Sequence, residues 1–241
     1  MKINLHNHSN YSDGLFSVEA ILHNADRLGI GMVSITDHNE IRGSLEALKA
    51  ASSYKVIVIP GIELFFWYMG KITELLVYFR KSDEILGFYN EFLSNKFIPT
   101  VKKPEELAVL VKKYNGMAIM PHPLAHKGCL RNKFDYPTIN LEEKNTMTID
   151  AKGSVNSKCF GGADLHLYKN SMKCFTEVVG NPTVDDLFNG NFESKAVDNC
   201  RMSPLKRNFQ RTMITPLDIK YLTLQLVRKK IFNKGFIKPY I

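Results

Sequence analysis

Long apolar runs are missing from this sequence. No stretch approaches the roughly 18 uninterrupted apolar residues of a membrane-spanning helix, so no membrane span is expected. The most apolar run, Val56 to Met69, is broken by Pro60 and Glu63 and reads as buried core. The opening residues, MKINLHNHS, contain no apolar h-region, so no signal peptide is expected. Cysteine is scarce: Cys129, Cys159, Cys174 and Cys200 lie far apart with no CxxC pair. That pattern argues against a thiolate zinc site and a disulfide framework, and for a reduced, cytoplasmic setting. Internal repeats and low-complexity linkers are also lacking. What remains is an ordinary globular mixture of 241 residues, 44% hydrophobic and 23% charged, enough for one large domain or two small ones.

Acidic residues almost vanish towards the end. The chain carries a formal charge of +8, yet from Arg201 onwards ten Lys/Arg face Asp218 alone, so the first 200 residues are close to neutral. Residues 201–241 therefore read as a basic segment apart from a body at 1–200. Such a segment attracts phosphate-rich partners, nucleic acid among them, or is simply a solvated helix face. It lacks the interleaved aromatics of an RNA-binding signature. Thr215-Pro216-Leu217-Asp218 has the form of a helix start, and the helix is expected to run to about Phe232.

Within the body, short apolar runs alternate with amphipathic segments. Ile3–Leu5, Met32–Ile35, Val56–Ile59, Leu75–Phe79 and Met117–Met120 read as buried strands. Helices are expected from a Ser17 cap to about Leu28, over Ile41–Ser52, over Asp83–Ser94 and over Pro104–Tyr114. The alternation implies a parallel sheet with helices outside, open or closed into a barrel. Ala125–Lys158 has weak periodicity and reads as loop and helix.

The histidines are placed with regularity. His6 and His8 form an HxH pair, and on a strand positions i and i+2 point the same way, so both imidazoles can reach one ion. Asp13 follows in a Ser-Asp-Gly turn, and His38 lies directly after the second strand. Glu63 is expected at the end of the third strand and His122 at the end of a later one. Asp164 and His166 stand two apart after a Gly-Gly pair. In a parallel α/β sheet or barrel the carboxyl ends of the strands form one face, and that face carries the site. Mixed imidazole and carboxylate donors converging there suit two or three divalent ions, with Zn, Mn or Fe favoured. Each group also has an ordinary reading: Glu63 as a paired core carboxylate, Asp13 as a turn residue, Asp37 as a helix cap. His23, inside an amphipathic helix, and His126 stand outside the pattern.

In order, His6-x-His8-Ser9 with Ser12-Asp13-Gly14, Thr36-Asp37-His38-Asn39, Gly61-Ile62-Glu63, His122-Pro123 and Gly162-Ala163-Asp164-Leu165-His166 resemble the motifs of the PHP (polymerase and histidinol phosphatase) superfamily, over roughly residues 1–200. The resemblance implies a distorted (β/α)7 TIM-like barrel with a trinuclear metal site in its cleft. It implies that His6, His8, Glu63 and Asp164 hold one ion, that Glu63 bridges to a second bound also by His122, and that Asp13, His38 and His166 hold a third. One departure bears on the second ion. Many relatives place a further histidine on the strand after the Glu motif, and here Glu74 stands nearest that position, either as a substitute oxygen ligand or as a surface residue.

Together these readings predict a metal-dependent phosphoesterase, most simply a phosphomonoesterase that attacks a small phosphorylated metabolite or nucleotide with a metal-activated water. His122 and His166 are the candidate proton donors, with a metal-bound water as the alternative. Arg42, Arg201 and Arg207, with Lys206 beside them, are candidate phosphate contacts. The rival readings are a nuclease or exonuclease that uses the basic segment to hold RNA or DNA, and a non-catalytic metal-binding scaffold. Nothing in the pattern speaks to oligomeric state.

Overall fold

A computed structural model describes residues 1–93, 96, 98–121, 141–144, 158–167, 169–198 and 223. His122, His126, Arg201, Lys206, Arg207 and nearly all of the expected 215–232 helix lie outside the described residues.

The fold is mixed α/β. Strand β1 (Lys2–Asn4) sits mid-sheet, with β2 (Ile30–Val33) and then β3 (Ile57–Val58) parallel to it on one side. Helix α1 (Val18–Arg27) makes the β1–β2 crossover. Ser17 caps it, its hydroxyl accepting from the Ala20 amide at 3.3 Å, with Glu19 in the first turn and Arg27 in the last. Val18, Ile21, Leu22 and Ala25 form its buried stripe, packed with Ile30, Val33 and Ile35. Helix α2 (Arg42–Ala50) joins β2 to β3.

Pro60 splits the apolar run. After it the chain turns into β4 (Gly61–Tyr68), which forms an antiparallel hairpin with β5 (Lys71–Tyr78). Met69 (φ 49°) and Gly70 (φ 74°) both occupy the left-handed region, as a two-residue type I′ turn demands. The two faces of this hairpin differ. Ile62, Leu64, Phe66, Leu75, Val77 and Phe79 pack under α3 (Ser82–Leu93) and α4 (Pro104–Lys113). On the opposite face Leu76 and Tyr78 join Ile3, Leu5, Met32, Ile59 and Ile119 in a second apolar layer, where the Tyr78 hydroxyl donates to the Leu5 carbonyl at 3.0 Å. Glu63 and Glu74 share that second face by strand alternation.

Strand β6 (Met117–Ile119) adds to β5. Strands β7 (Leu141–Lys144) and β8 (Lys158–Gly161) pair in parallel, so a strand lies within 125–158, where loop and helix were expected. Strand β9 (Cys174–Val178) lies antiparallel to β1. The short helix α5 (Val184–Asn189), opened by a Thr183/Asp186 capping box, leads to β10 (Ser194–Asp198) at the sheet edge.

Two further sequence expectations are corrected. The sheet is only partly parallel, because β4–β5–β6 and β10–β9–β1 run antiparallel. Glu63 is the third residue of a strand and does not end one. Among the described residues, backbone pairing gives sheets of five, three and two strands. Bridges beyond the strand ends tie the first two together: the Asn39 amide donates to the Glu63 carbonyl at 2.9 Å, and the Glu63 amide to the Asp37 carbonyl at 3.4 Å.

Candidate metal centre

The segments just beyond β1, β2 and β8 meet over the apolar layer. His8 donates its backbone amide to the Leu165 carbonyl (2.9 Å), and Thr36 donates to Asn7 (2.8 Å). Thus the HxH segment is held between the His38 loop and the Asp164/His166 loop. The Asp13 turn is pinned to the same place, because Gly14 donates to Ser9 (3.0 Å) and Leu15 to His166 (3.0 Å). A Cβ on Gly14 would overlap the His8 carbonyl, so only glycine lets the turn approach this closely.

Their side chains converge. His6 Nε2 and His8 Nε2 are 3.0 Å apart, and Glu63 Oε2 lies 3.1 Å from the first and 3.0 Å from the second. Asp164 Oδ1 is 3.4 Å from His6 Nε2 and 3.6 Å from His8 Nε2. Asp13 faces three imidazoles: His8 Nδ1 at 3.2 Å, His38 Nε2 at 3.6 Å and His166 Nε2 at 2.8 Å. His38 Nδ1 reaches Glu63 Oε2 at 3.4 Å. His166 stacks on His8 with ring centroids 4.1 Å apart. Three donor sets emerge: His8/Asp13/His38/His166, His6/His8/Asp164 and His38/Glu63/Glu74.

Burial makes this cluster expensive without cations. His6, His8, Asp13, Glu63, Asp164 and His166 are all buried, and His38 and Glu74 partly so. Burial disfavours the charged form of His8, but the Asp13 and Glu63 carboxylates outweigh that and hold its pKa well above the usual histidine range. Asp13 is buried too, yet His166, His38 and His8 hold its carboxyl well below the usual carboxylate range. His38 goes the other way, pushed down to about 4 by burial.

The donor chemistry fits divalent ions. Ligands about 2.1 Å from a common ion stand roughly 3.0–3.4 Å from one another in octahedral or tetrahedral coordination. The edges joining His6 Nε2, His8 Nε2 and Glu63 Oε2 have that length. At His166 the Asp164 carbonyl, 3.0 Å from Nδ1, can only accept, so Nδ1 carries a hydrogen. Nε2 then faces the Asp13 carboxylate at 2.8 Å, as two donors to one cation would.

Residues 4–168 match the PHP domain. The chain belongs to the PHP domain family. This PHP chain is 34% identical over 134 residues to an uncharacterized protein of Methanocaldococcus jannaschii, covering 51% of this chain and 68% of that one. It is 36% identical over 63 residues to the 5'-3' exoribonuclease of Haemophilus influenzae, covering 26% of this chain and 23% of the exoribonuclease. Among solved structures it resembles the lesion-specific endonuclease PfuEndoQ of Pyrococcus furiosus, with a TM-score of 0.55 and 17% identity over 84% of this chain and 59% of the endonuclease.

Of the sequence-predicted site residues, His6, His8, Asp13, His38, Glu63, Glu74, Asp164 and His166 come together. Arg42 lies in the first turn of α2, paired with buried Glu40 and stacked at 5.0 Å over Tyr11. Asp37 is not a helix cap: its carboxylate accepts from the Ser9 amide (2.7 Å), the Ser9 hydroxyl (2.6 Å) and the Ser12 hydroxyl (2.6 Å). Ser12 also reaches Asp13 at 3.1 Å, so Asp37 positions the turn that presents Asp13. Asn39 was not singled out by the sequence. It adopts a left-handed φ of 46° and holds the backbone of Phe65, whose ring lies 5.3 Å from that of His38. An Asn after the His-bearing loop is the one sequence signal for such a turn.

Proposed function

We propose that this PHP-family chain is a metal-dependent hydrolase of phosphate esters, a phosphomonoesterase acting on a small phosphorylated metabolite or nucleotide. We further read its mixed sheets as parts of a distorted barrel with the site at one mouth. The observation that carries the proposal is the convergence of four imidazoles and four carboxylates, from six separate segments, on one buried patch. In this reading His6, His8, Asp13, His38, Glu63, Glu74, Asp164 and His166 hold two or three ions of the Zn, Mn or Fe type. Bound there, such ions polarise a phosphoryl oxygen and lower the pKa of water from about 16 towards 7.

The protein's own part is positioning. Three divalent ions would bring more positive charge than Asp13, Glu63, Glu74 and Asp164 neutralise, so the site selects an anionic ester over a neutral amide. Both ring nitrogens of His166 are engaged, one by a carbonyl and one facing Asp13, which favours a ligand role for it over proton donation. The apolar layer of Ile3, Leu5, Leu76 and Tyr78 lies on the hairpin face that carries Glu63 and Glu74.

Hydrolysis of nucleotide and sugar phosphates and of p-nitrophenyl phosphate, with added Mn or Zn, tests the proposal. Wild type should release phosphate, and His8→Ala and Asp164→Ala should lose at least about a hundredfold. Tight metal retention without turnover of any phosphoester would replace the enzyme with a metal-binding scaffold. The similarity to an exoribonuclease favours one second reading, a nuclease. Stepwise shortening of single-stranded RNA, with no release of phosphate from monoesters, would establish it.

A further inference from the structure

One face of the hairpin leads out of the donor cluster. On β4 the side chains of Glu63, Phe65 and Trp67 alternate to the same side, with Leu76, Glu74 and Ile72 opposite them on β5. Exposure rises along that row: Glu63 is buried, Phe65 is partly so, and Trp67, the one tryptophan of the chain, is 41% exposed. Two aromatic rings side by side at a polar centre form a patch rather than a scattered surface residue. Both rings stand on fixed backbone. The Asn39 side chain holds the Phe65 amide and carbonyl, at 2.9 and 2.6 Å. Trp67 donates its amide to the Pro99 carbonyl at 2.8 Å and accepts from the Val101 amide at 2.9 Å, so a short parallel bridge locks this edge of β4. Rings held this way lose little freedom when a flat partner covers them.

The row starts at the donors. The Phe65 ring lies 5.3 Å from the His38 ring, and Trp67 follows two residues on, about 6.6 Å further along the strand. A phosphate held at the cluster therefore has Phe65 beside it and an exposed indole beyond. Cations select the phosphate, and a flat aromatic surface selects a flat aromatic group; a plain sugar phosphate offers only the first. We infer that the substrate is a nucleotide, with its phosphate at the donor cluster, its ribose against Phe65 and its base stacked on Trp67. Trp67 is then the residue that sets the preference for nucleotides over other phosphate esters. The inference rests on the phosphoesterase reading and narrows it to esters that carry a base.

The test compares adenosine monophosphate with ribose 5-phosphate, which lacks only the base, on the zinc-loaded full chain. Two readouts are taken: the emission of Trp67, followed by stopped flow before turnover, and kcat/KM for phosphate release. The nucleotide should quench the emission saturably, and ribose 5-phosphate should leave it unchanged. The nucleotide should also be preferred in kcat/KM by at least about fivefold, through KM. Trp67→Ala should lose most of that preference and Trp67→Phe should keep part of it, with circular dichroism confirming that both variants fold. Equal kcat/KM for the two esters in wild type, or a preference untouched by Trp67→Ala, overturns the inference and leaves the phosphoesterase standing. Saturable quenching by the nucleotide without hydrolysis of either ester overturns the phosphoesterase and leaves the base site standing. Emission that responds to protein concentration and to neither ester assigns the patch to a contact between two copies of the chain and overturns the inference.

Discussion

The side-chain amide of Asn39 pairs with both backbone groups of Phe65, donating to its carbonyl at 2.6 Å and accepting from its amide at 2.9 Å. One asparagine thus extends the edge of β4 as a further strand would, and it fixes the loop carrying His38 against the strand carrying Glu63. Asn39→Gly keeps the left-handed backbone accessible and removes only the amide. It should cost about 1–3 kcal/mol in urea unfolding and weaken metal retention more than it changes secondary structure. Full metal retention in this variant would show that Asn39 does not position the donors.

Proton release should accompany metal loading. In the metal-free protein Asp13 and Glu63 keep His8 protonated well past the usual histidine range. An ion must displace that proton, so affinity should rise with pH through the neutral range. His38, already held down at about 4 by burial, adds no proton near neutrality. Titration calorimetry in buffers of different ionisation enthalpy should give different apparent heats at pH 7. Identical heats would contradict the protonated His8.

Asp37 gives a pH-dependent signature of its own. Burial holds its carboxyl up at about 6, despite the hydrogen bonds from Ser12 and Ser9. The fold then binds this proton more tightly than the unfolded chain does. The resulting stability is complete below about pH 4, is lost as pH rises through 6, and is flat above that. The metal-free wild type should show this loss relative to Asp37→Asn between pH 4 and 6 in paired urea titrations. Parallel curves for the two proteins would refute the assignment.

Close approach at Gly14 should make Gly14→Ala more damaging to the site than a glycine change at the surface. The added methyl must displace the His8 carbonyl and with it the Asp13 turn. A loss of at least about 1–3 kcal/mol is expected, with reduced metal content, measured by thermal unfolding and elemental analysis. Gly180→Ala is the control. A methyl there meets nothing within 4 Å and carries only the strain of a left-handed φ of 72°, so metal content should be unchanged. Equal loss of metal at the two positions would remove the argument for close packing.

Much of the site was legible because its residues carry chemistry at recognisable spacing. His38 follows a strand, as the sequence indicates, and the His6 and His8 rings meet at 3.0 Å, although β1 ends at Asn4 and the pair lies beyond it, bridged to Leu165 through Asn7. The helix boundaries at Ser17 and Pro104 are also visible, since caps are local. Glu63 was misplaced for a physical reason. Val56–Met69 is mainly apolar on both sides of Pro60, so its division there depends on which partners each half finds. The hairpin turn is Met-Gly, without the Asn-Gly or Asp-Gly signal that marks most type I′ turns. Asp37 and Asn39 were obscured for another reason: their partners at Ser9, Ser12 and Phe65 are set by tertiary structure alone.

The two-faced hairpin couples folding to chemistry. Side chains alternate across β4 and β5, so sliding one strand by a single residue would turn carboxylates into the greasy layer beneath α3 and α4 and aim leucines at the donor cluster. Met69 and Gly70 guard against that slip. Natural or engineered variation at this distant bend should therefore register first as a protein that cannot keep its ions, before any change at the donors themselves.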